Sequence, residues 1–262
     1  MDLDLGDDLE EDDNEEPTGE MGVYNGLIEF CEGPDLIEVF GESGSGKSRF
    51  SVEVLMDAVE NEGKRGLFID TEKNIGNEDD LGSCDYAYLP EWRDIYNYCI
   101  GQGEMVPNDA FGEKTHSGNE MPDGYDVVVV DSLGFPALVQ YGKYRVADDA
   151  EQFKVFNEIQ VITGELKKYA QMNDALVIVI NQPKSDLSEE QDPAPFGDKS
   201  IFGFKEVWKT YKVNATETKT DCEIRAFRSR QLGKGSVIYR VEIDDSGADV
   251  TFIGGDDSDT WV

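Results

Sequence analysis

The sequence predicts an α/β fold: a mostly parallel central sheet with helices on both faces and an antiparallel C-terminal edge. Three observations carry this. Short apolar runs alternate with stretches of helical periodicity along the first two thirds of the chain. Two of those runs, Val127–Val130 and Ala175–Ile180, are apolar at every position, as strands covered on both faces are. The last quarter holds four strand-like segments separated by short turns, the spacing of antiparallel neighbours.

The elements follow in order. Residues 1–20 hold eleven acids and no base, cannot bury apolar surface, and read as a disordered acidic tail. A folded core is expected over 21–254, with a short acidic tail over 255–262. Leu36–Phe40 reads as the first strand, Gly41–Ser48 as a glycine-rich turn, and Ser48–Glu60 as a helix with Phe50, Val54, Leu55 and Ala58 on one stripe. Gly66–Asp70 is a second strand and Asp94–Ile100 part of a helix. Gly101–Gly124, rich in Gly, Asn, Asp and Pro, reads as a long loop or insertion. After the valine strand, Asp148–Met172 reads as a long helix with Phe153, Phe156, Ile159, Ile162, Leu166 and Tyr169 on its stripe. Pro183–Ser200 is loop-like. Strands are expected around Trp208–Val213, Asp221–Phe227, Val237–Ile243 and Asp249–Ile253.

Composition narrows the functional classes. The 262 residues carry 57 acids against 23 bases, a formal charge of −34, so net charge gives no generic attraction to nucleic acid; any such contact must come from local basic loops. Two explanations of the acidity stay open: adaptation to high salt, where screening blunts self-repulsion, or an acidic protein with basic partners. Cys31, Cys84, Cys99 and Cys222 form no C-x-x-C pair, which fits reduced thiols better than a disulfide or zinc framework. The single histidine, His116, sits in a polar stretch and reads as a surface residue. No apolar run is long enough for a membrane helix, and the acidic N-terminus lacks a secretory pattern. A soluble, cytoplasmic protein with no membrane partner is expected.

Gly41-Glu42-Ser43-Gly44-Ser45-Gly46-Lys47-Ser48 fits G-x-x-x-x-G-K-[ST] in full, between an apolar strand and an amphipathic helix. Glycines let successive N–H groups converge on phosphate oxygens, and the following helix points its positive end there. Lys47 is placed to reach the β- and γ-phosphates and Ser48 to offer a hydroxyl to Mg²⁺; Arg49 completes the candidate set for a nucleoside triphosphate, read as ATP with Mg²⁺. Asp131, at the end of the valine strand, is a second candidate for holding the metal through water.

Four further segments, taken with the phosphate motif, resemble the RecA/RadA recombinase superfamily, in particular its small core-only RadB-like and phage Sak-type members. The first is Phe68-Ile69-Asp70-Thr71-Glu72; the resemblance makes Glu72 the carboxylate that polarises the attacking water. The second is Gln140-Tyr141-Gly142-Lys143-Tyr144-Arg145, similar to a first DNA-binding loop, with Lys143 and Arg145 as phosphate contacts; a solvated loop is the alternative. The third is Asn181-Gln182, where the resemblance makes Gln182 a γ-phosphate sensor, followed by a second DNA-binding loop over 183–200 whose bases are Lys184 and Lys199. The fourth is Arg228-Ser229-Arg230. Two bases at this spacing lie on one face of a strand and, by the resemblance, reach the γ-phosphate bound to a neighbouring subunit.

The resemblance implies a RecA-like, Mg²⁺-dependent ATPase. Nucleotide is sandwiched between subunits of a homo-oligomer, ring or filament, that acts in DNA recombination, repair or single-stranded DNA handling. A recombinase or other protein is a further expected partner. Two alternatives remain at this level: a KaiC-like regulatory ATPase with a protein partner and no DNA, and a non-catalytic recombination mediator. Tyr24–Cys31 replaces the superfamily's glycine-rich stretch before the phosphate-loop strand, and 101–124 has no counterpart in it.

Overall fold

The computed structural model describes residues 22–75, 81–100, 121–144, 149–183, 203–245 and 247–254; for 100, 141–144 and 149–153 it describes the backbone alone. The two acidic tails, nearly all of the 101–124 insertion, the 184–200 segment and Arg145 lie outside the described residues.

Nine strands form one sheet. In chain order the elements are α1 (Val23–Phe30), β1 (Leu36–Phe40), α2 (Lys47–Glu60), β2 (Gly66–Asp70), β3 (Asp85–Tyr88), α3 (Trp92–Ile100), β4 (Val127–Asp131), α4 (Gly134–Tyr144), α5 (Asp149–Asn173), β5 (Leu176–Asn181), β6 (Glu206–Ala215), β7 (Lys219–Arg228), β8 (Val237–Asp244) and β9 (Gly247–Phe252). The strand order is β3-β2-β4-β5-β1-β6-β7-β8-β9. Pairing is parallel from β3 to β6 and antiparallel from β6 to β9, as the two patterns in the sequence predict.

Alternation along each buried strand divides the core in two. Leu36 and Phe40, Leu67 and Ile69, Val128 and Val130, Val177 and Val179 face the layer of α3 and α5, meeting Trp92, Ile95, Ile159, Ile162 and Leu166. Ile37 and Val39, Phe68, Val127 and Val129, Ile178 and Ile180 face α1 and α2, meeting Leu27, Phe30, Phe50, Val54 and Leu55. Among the described side chains the α5 stripe differs at one position: Phe156 is exposed and Val155 takes the inward place.

Three elements depart from the sequence reading. Tyr24–Cys31 is mostly helix: α1 buries Tyr24, Leu27 and Phe30, and Asp57 of α2 accepts the Tyr24 N–H at 2.8 Å. Gly26 permits this seat, since a Cβ there would meet Phe252 Cγ at 2.9 Å. β3 was not expected; it is an edge strand with only Ala87 buried. Gln140–Tyr144, expected as a loop, is the last part of α4. Pro136 falls in the first turn of that helix, where a missing N–H costs nothing, and Ala137 anchors it in the core.

α2 packs so closely on β2 that a Cβ at Gly66 would meet Leu55 Cδ1 and Val59 Cγ2, both at 2.7 Å. Gly66→Ala is therefore expected to destabilise the fold by roughly 1–3 kcal/mol through overpacking, measured by denaturant unfolding. A variant as stable as the parent would show that α2 can shift off the sheet.

Candidate nucleotide site

The glycine-rich turn leaves β1 at the sheet's centre and runs into α2. Gly44 (φ 71°) and Gly46 (φ 86°) occupy left-handed backbone that side chains rarely adopt. Gly46 is also the N-cap of α2, which begins at Lys47, so the helix's positive end opens onto the loop. Gly41 has a steric reason of its own: a Cβ would overlap the Thr210 hydroxyl from β6. Thr210 and Ser45 share a short hydrogen bond, and Ser45 also donates to the Glu42 carbonyl at 2.7 Å.

Lys47 lies almost buried. Its Nζ donates to the carbonyls of Gly41 (2.8 Å) and Glu42 (2.7 Å), which folds the side chain back across the loop. Burial lowers its pKa, while Asp131, Glu72, Cys222 and Glu42 act in the opposite direction. Those opposing charges identify what faces the ammonium: the two carboxylates singled out in the sequence.

β2 and β4 are neighbours in register, Asp70 beside Asp131, so their ends bring Glu72 and Asp131 to one side of the glycine-rich loop. The ends are laced together. Thr71 N–H donates to the Asp131 carbonyl at 2.8 Å, Thr71 Oγ1 donates to the Ser132 carbonyl at 2.7 Å and accepts the Ser132 N–H at 2.9 Å. The Asp131–Ser132 peptide is cis. Ser132 Oγ donates to Glu72 Oε1 in a short hydrogen bond. Asp131 is 2 % exposed, and its pKa is raised to about 6, by burial first and by Glu72 and Asp70 next, against a hydrogen bond from Ser48.

The Ser48–Asp131 contact is the test of metal fit. A hydroxyl and a carboxylate, both hard oxygen donors, meet at the mouth of the loop, and two protein ligands plus phosphate is the arrangement Mg²⁺ takes in nucleotide sites. The donor set fits the ion.

Sequence reasoning missed Asp70. Its carboxylate accepts backbone N–H groups from Glu72 (3.0 Å), Lys73 (2.7 Å), Asn74 (3.3 Å) and Ile75 (3.2 Å), and the Tyr86 hydroxyl at 3.1 Å. It winds the turn that carries Glu72. An acid at a strand end, followed by polar residues, is the signature of such an Asx-type cap. Thr210 was also missed, because its strand lies 165 residues from Ser45 in the chain.

Of the other candidates, Gln182 is half-buried just beyond β5. Arg49 is exposed on α2 and acts electrostatically on Glu53 one turn later. Lys143 lies in α4, its side chain outside the description, while Arg145, Lys184 and Lys199 lie outside it altogether.

The arginine pair requires a correction. β7 ends at Arg228, and Arg230 lies beyond it, so the two do not share a strand face. Ser229 turns the chain: its Oγ accepts the N–H groups of Gln231 and Leu232, both at 3.1 Å, while Glu206 Oε1 accepts the Arg230 N–H at 3.0 Å. The pair also lies away from its own phosphate loop. Arg228 is level with Val207, and Val207 with Glu38, three residues before Gly41 or ~10 Å along the strand. Its Nη2 donates to the Phe204 carbonyl at 2.9 Å, further away still.

No family model matches the chain. It is 23 % identical over 173 residues to the DNA repair and recombination protein RadB of Methanococcoides burtonii, covering 63 % of this chain and 68 % of that one. It is 28 % identical over 188 residues to the protein of the same name from Methanobrevibacter smithii, covering 69 % and 72 %. A crystal structure of a RadB recombinase superposes with a TM-score of 0.58 at 16 % identity, over 87 % of this chain and 98 % of that one, which establishes the shared fold. Among the described residues no helix is long and apolar enough to cross a membrane.

Proposed function

We propose that this chain, a RadB-like member of the RecA/RadA superfamily, binds and hydrolyses ATP with Mg²⁺ at a site completed by a second copy of itself, and acts in DNA recombination, repair or single-stranded DNA handling. The observation that carries the catalytic reading is the convergence of Lys47, Ser48, Asp131 and Glu72 on the mouth of one phosphate loop.

In this reading the loop's N–H groups and the α2 N-terminus bind the phosphates. Lys47 exchanges its two carbonyl partners for β- and γ-phosphate oxygens. Ser48 and Asp131 would hold the ion, which would supply neutralisation of phosphate charge. Glu72, fixed by Ser132, orients the water and takes its proton. Gln182, at the exit of β5, answers to the γ-phosphate.

The position of Arg228 and Arg230 supports completion in trans, since Arg228 stands about three residues along the sheet from its own loop and the chain turns Arg230 away from it. Arg230→Ala is expected to slow hydrolysis on the order of 10³-fold in the assembled protein, the scale of a base supplied in trans. Isolated monomers, obtained by dilution, should turn over alike with and without it. An equal loss in both states rules out the trans role.

The test of the whole reading is the ATPase rate against protein concentration, with and without single-stranded DNA, from low salt to molar KCl. A rate that rises with concentration and again with DNA is expected. The charge of −34 favours one second reading, a regulatory ATPase that serves a basic protein partner. A rate that rises with concentration and ignores DNA is its signature.

A further inference from the structure

Glu38 is a fully buried acid in the middle of β1, and the nucleotide mechanism does not use it. It faces the α5 side of the sheet, between Leu36 and Phe40 on its own strand, with Val179 and Val207 beside it on β5 and β6. Asn181, the last residue of β5, donates its Nδ2 to Glu38 Oε1 at 2.6 Å. The remaining polar atoms of both groups, Glu38 Oε2 and Asn181 Oδ1, are buried without a hydrogen-bond partner. Both are acceptors if the acid is ionised, and buried acceptors rarely go unpaired. One proton resolves both. A neutral carboxyl offers an O–H beside the oxygen that already accepts, and the amide offers a carbonyl beside the nitrogen that already donates.

We propose that Glu38 carries a proton in the folded protein and closes with Asn181 an acid–amide ring of two hydrogen bonds, which fixes the strand ends bearing Gly41 and Gln182 relative to each other. The connection is short. Glu38 stands three residues before Gly41, Asn181 is the neighbour of Gln182, and the Asn181 carbonyl accepts the Gly41 N–H at 3.4 Å. The role given to Gln182 rests on the nucleotide reading; the protonated ring does not.

The surroundings agree. Arg228, at the end of β7, is the charge that acts on Glu38 and favours ionisation, as does the Asn181 hydrogen bond. Burial outweighs both and pushes the acid up to about 7. Lys167 of α5 pairs with Asp35 at the foot of β1, and α5 brings the uncharged Ile159, Ile162, Thr163 and Leu166 to the same core layer. A carboxyl raised in the folded state stabilises it fully below the ordinary value of 4.5, and that contribution is lost as pH rises through about 7.

Glu38→Gln replaces the acid–amide ring by an amide–amide ring with the same two bonds and no titration. The infrared spectrum of the wild type at pH 6 should hold a protonated-carboxyl band that is absent from Glu38→Gln and bleaches near pH 7. The melting temperatures of the two proteins should lie closest below pH 4.5, with Glu38→Gln increasingly the higher as pH rises to 8. No difference band, or a Glu38→Gln deficit equal at every pH, overturns the ring in favour of a carboxylate paired with Arg228. Glu38→Leu fills the same space without the ring. It should cut the preference for ATP over ADP about tenfold, with Glu38→Gln restoring it. An unchanged preference overturns the positioning role. A wild-type chain that binds neither nucleotide overturns the nucleotide reading and the sensor role with it, and the ring then stands or falls on the infrared band.

Discussion

Lys47→Ala is expected to abolish nucleotide binding, by far the largest effect of any single change on affinity. The wild-type ammonium already sits inside the loop, held by the Gly41 and Glu42 carbonyls and faced by Asp131 and Glu72. No ordering cost remains when phosphate arrives, only an exchange of acceptors. Two hydrogen bonds from a charged donor are worth about 1.5–3 kcal/mol each, so affinity should fall by at least about 100-fold. The variant also leaves two loop carbonyls and two carboxylates without their cation, and a modest loss of stability accompanies the loss of binding. Isothermal titration with ATP and with ADP measures the first effect and circular dichroism the second. A folded variant whose affinity stays within tenfold of the parent puts the nucleotide somewhere other than this loop.

The site was legible where chemistry and periodicity coincide. β1, β2, β4 and β5 are buried on both faces, so their apolar runs stand out and the residues at their exits could be read as a set. β3 escaped because it is an edge strand of four residues with one buried side chain, and no period of two can register in it. α1 escaped because it is only eight residues long with Gly26 inside it, which weakens a helical pattern; the glycine is a packing requirement set by Phe252, more than two hundred residues later. Separations of 165 and 143 residues hid Thr210 beneath the phosphate loop and the Glu38–Asn181 pair. The arginine pair was found by type and misjudged in placement, since the Ser229 side chain turns the chain and the strand ends two residues short of Arg230. A hydroxyl's choice between strand and turn is made by the neighbours it meets.

Glu72→Gln should separate binding from chemistry. The amide is close in size to the carboxylate and keeps an oxygen to accept the Ser132 hydroxyl. The backbone beneath it is fixed independently by four N–H groups on Asp70, so the turn has no reason to move. What the amide cannot do is take a proton from water. A positioned general base contributes about 10²–10⁴-fold, and a single-turnover rate reduced on that scale, with ATP affinity unchanged, is the expected result. Asp70→Asn is the informative contrast. It weakens the cap and lets the turn drift, which should disturb the rate without leaving the fold untouched, whereas Glu72→Gln should melt with the parent. If Glu72→Gln turns over normally, the proton goes elsewhere. Asp131, the other carboxylate facing Lys47, is then the next acid to substitute, with metal affinity measured beside the rate because the same group is placed to hold the ion.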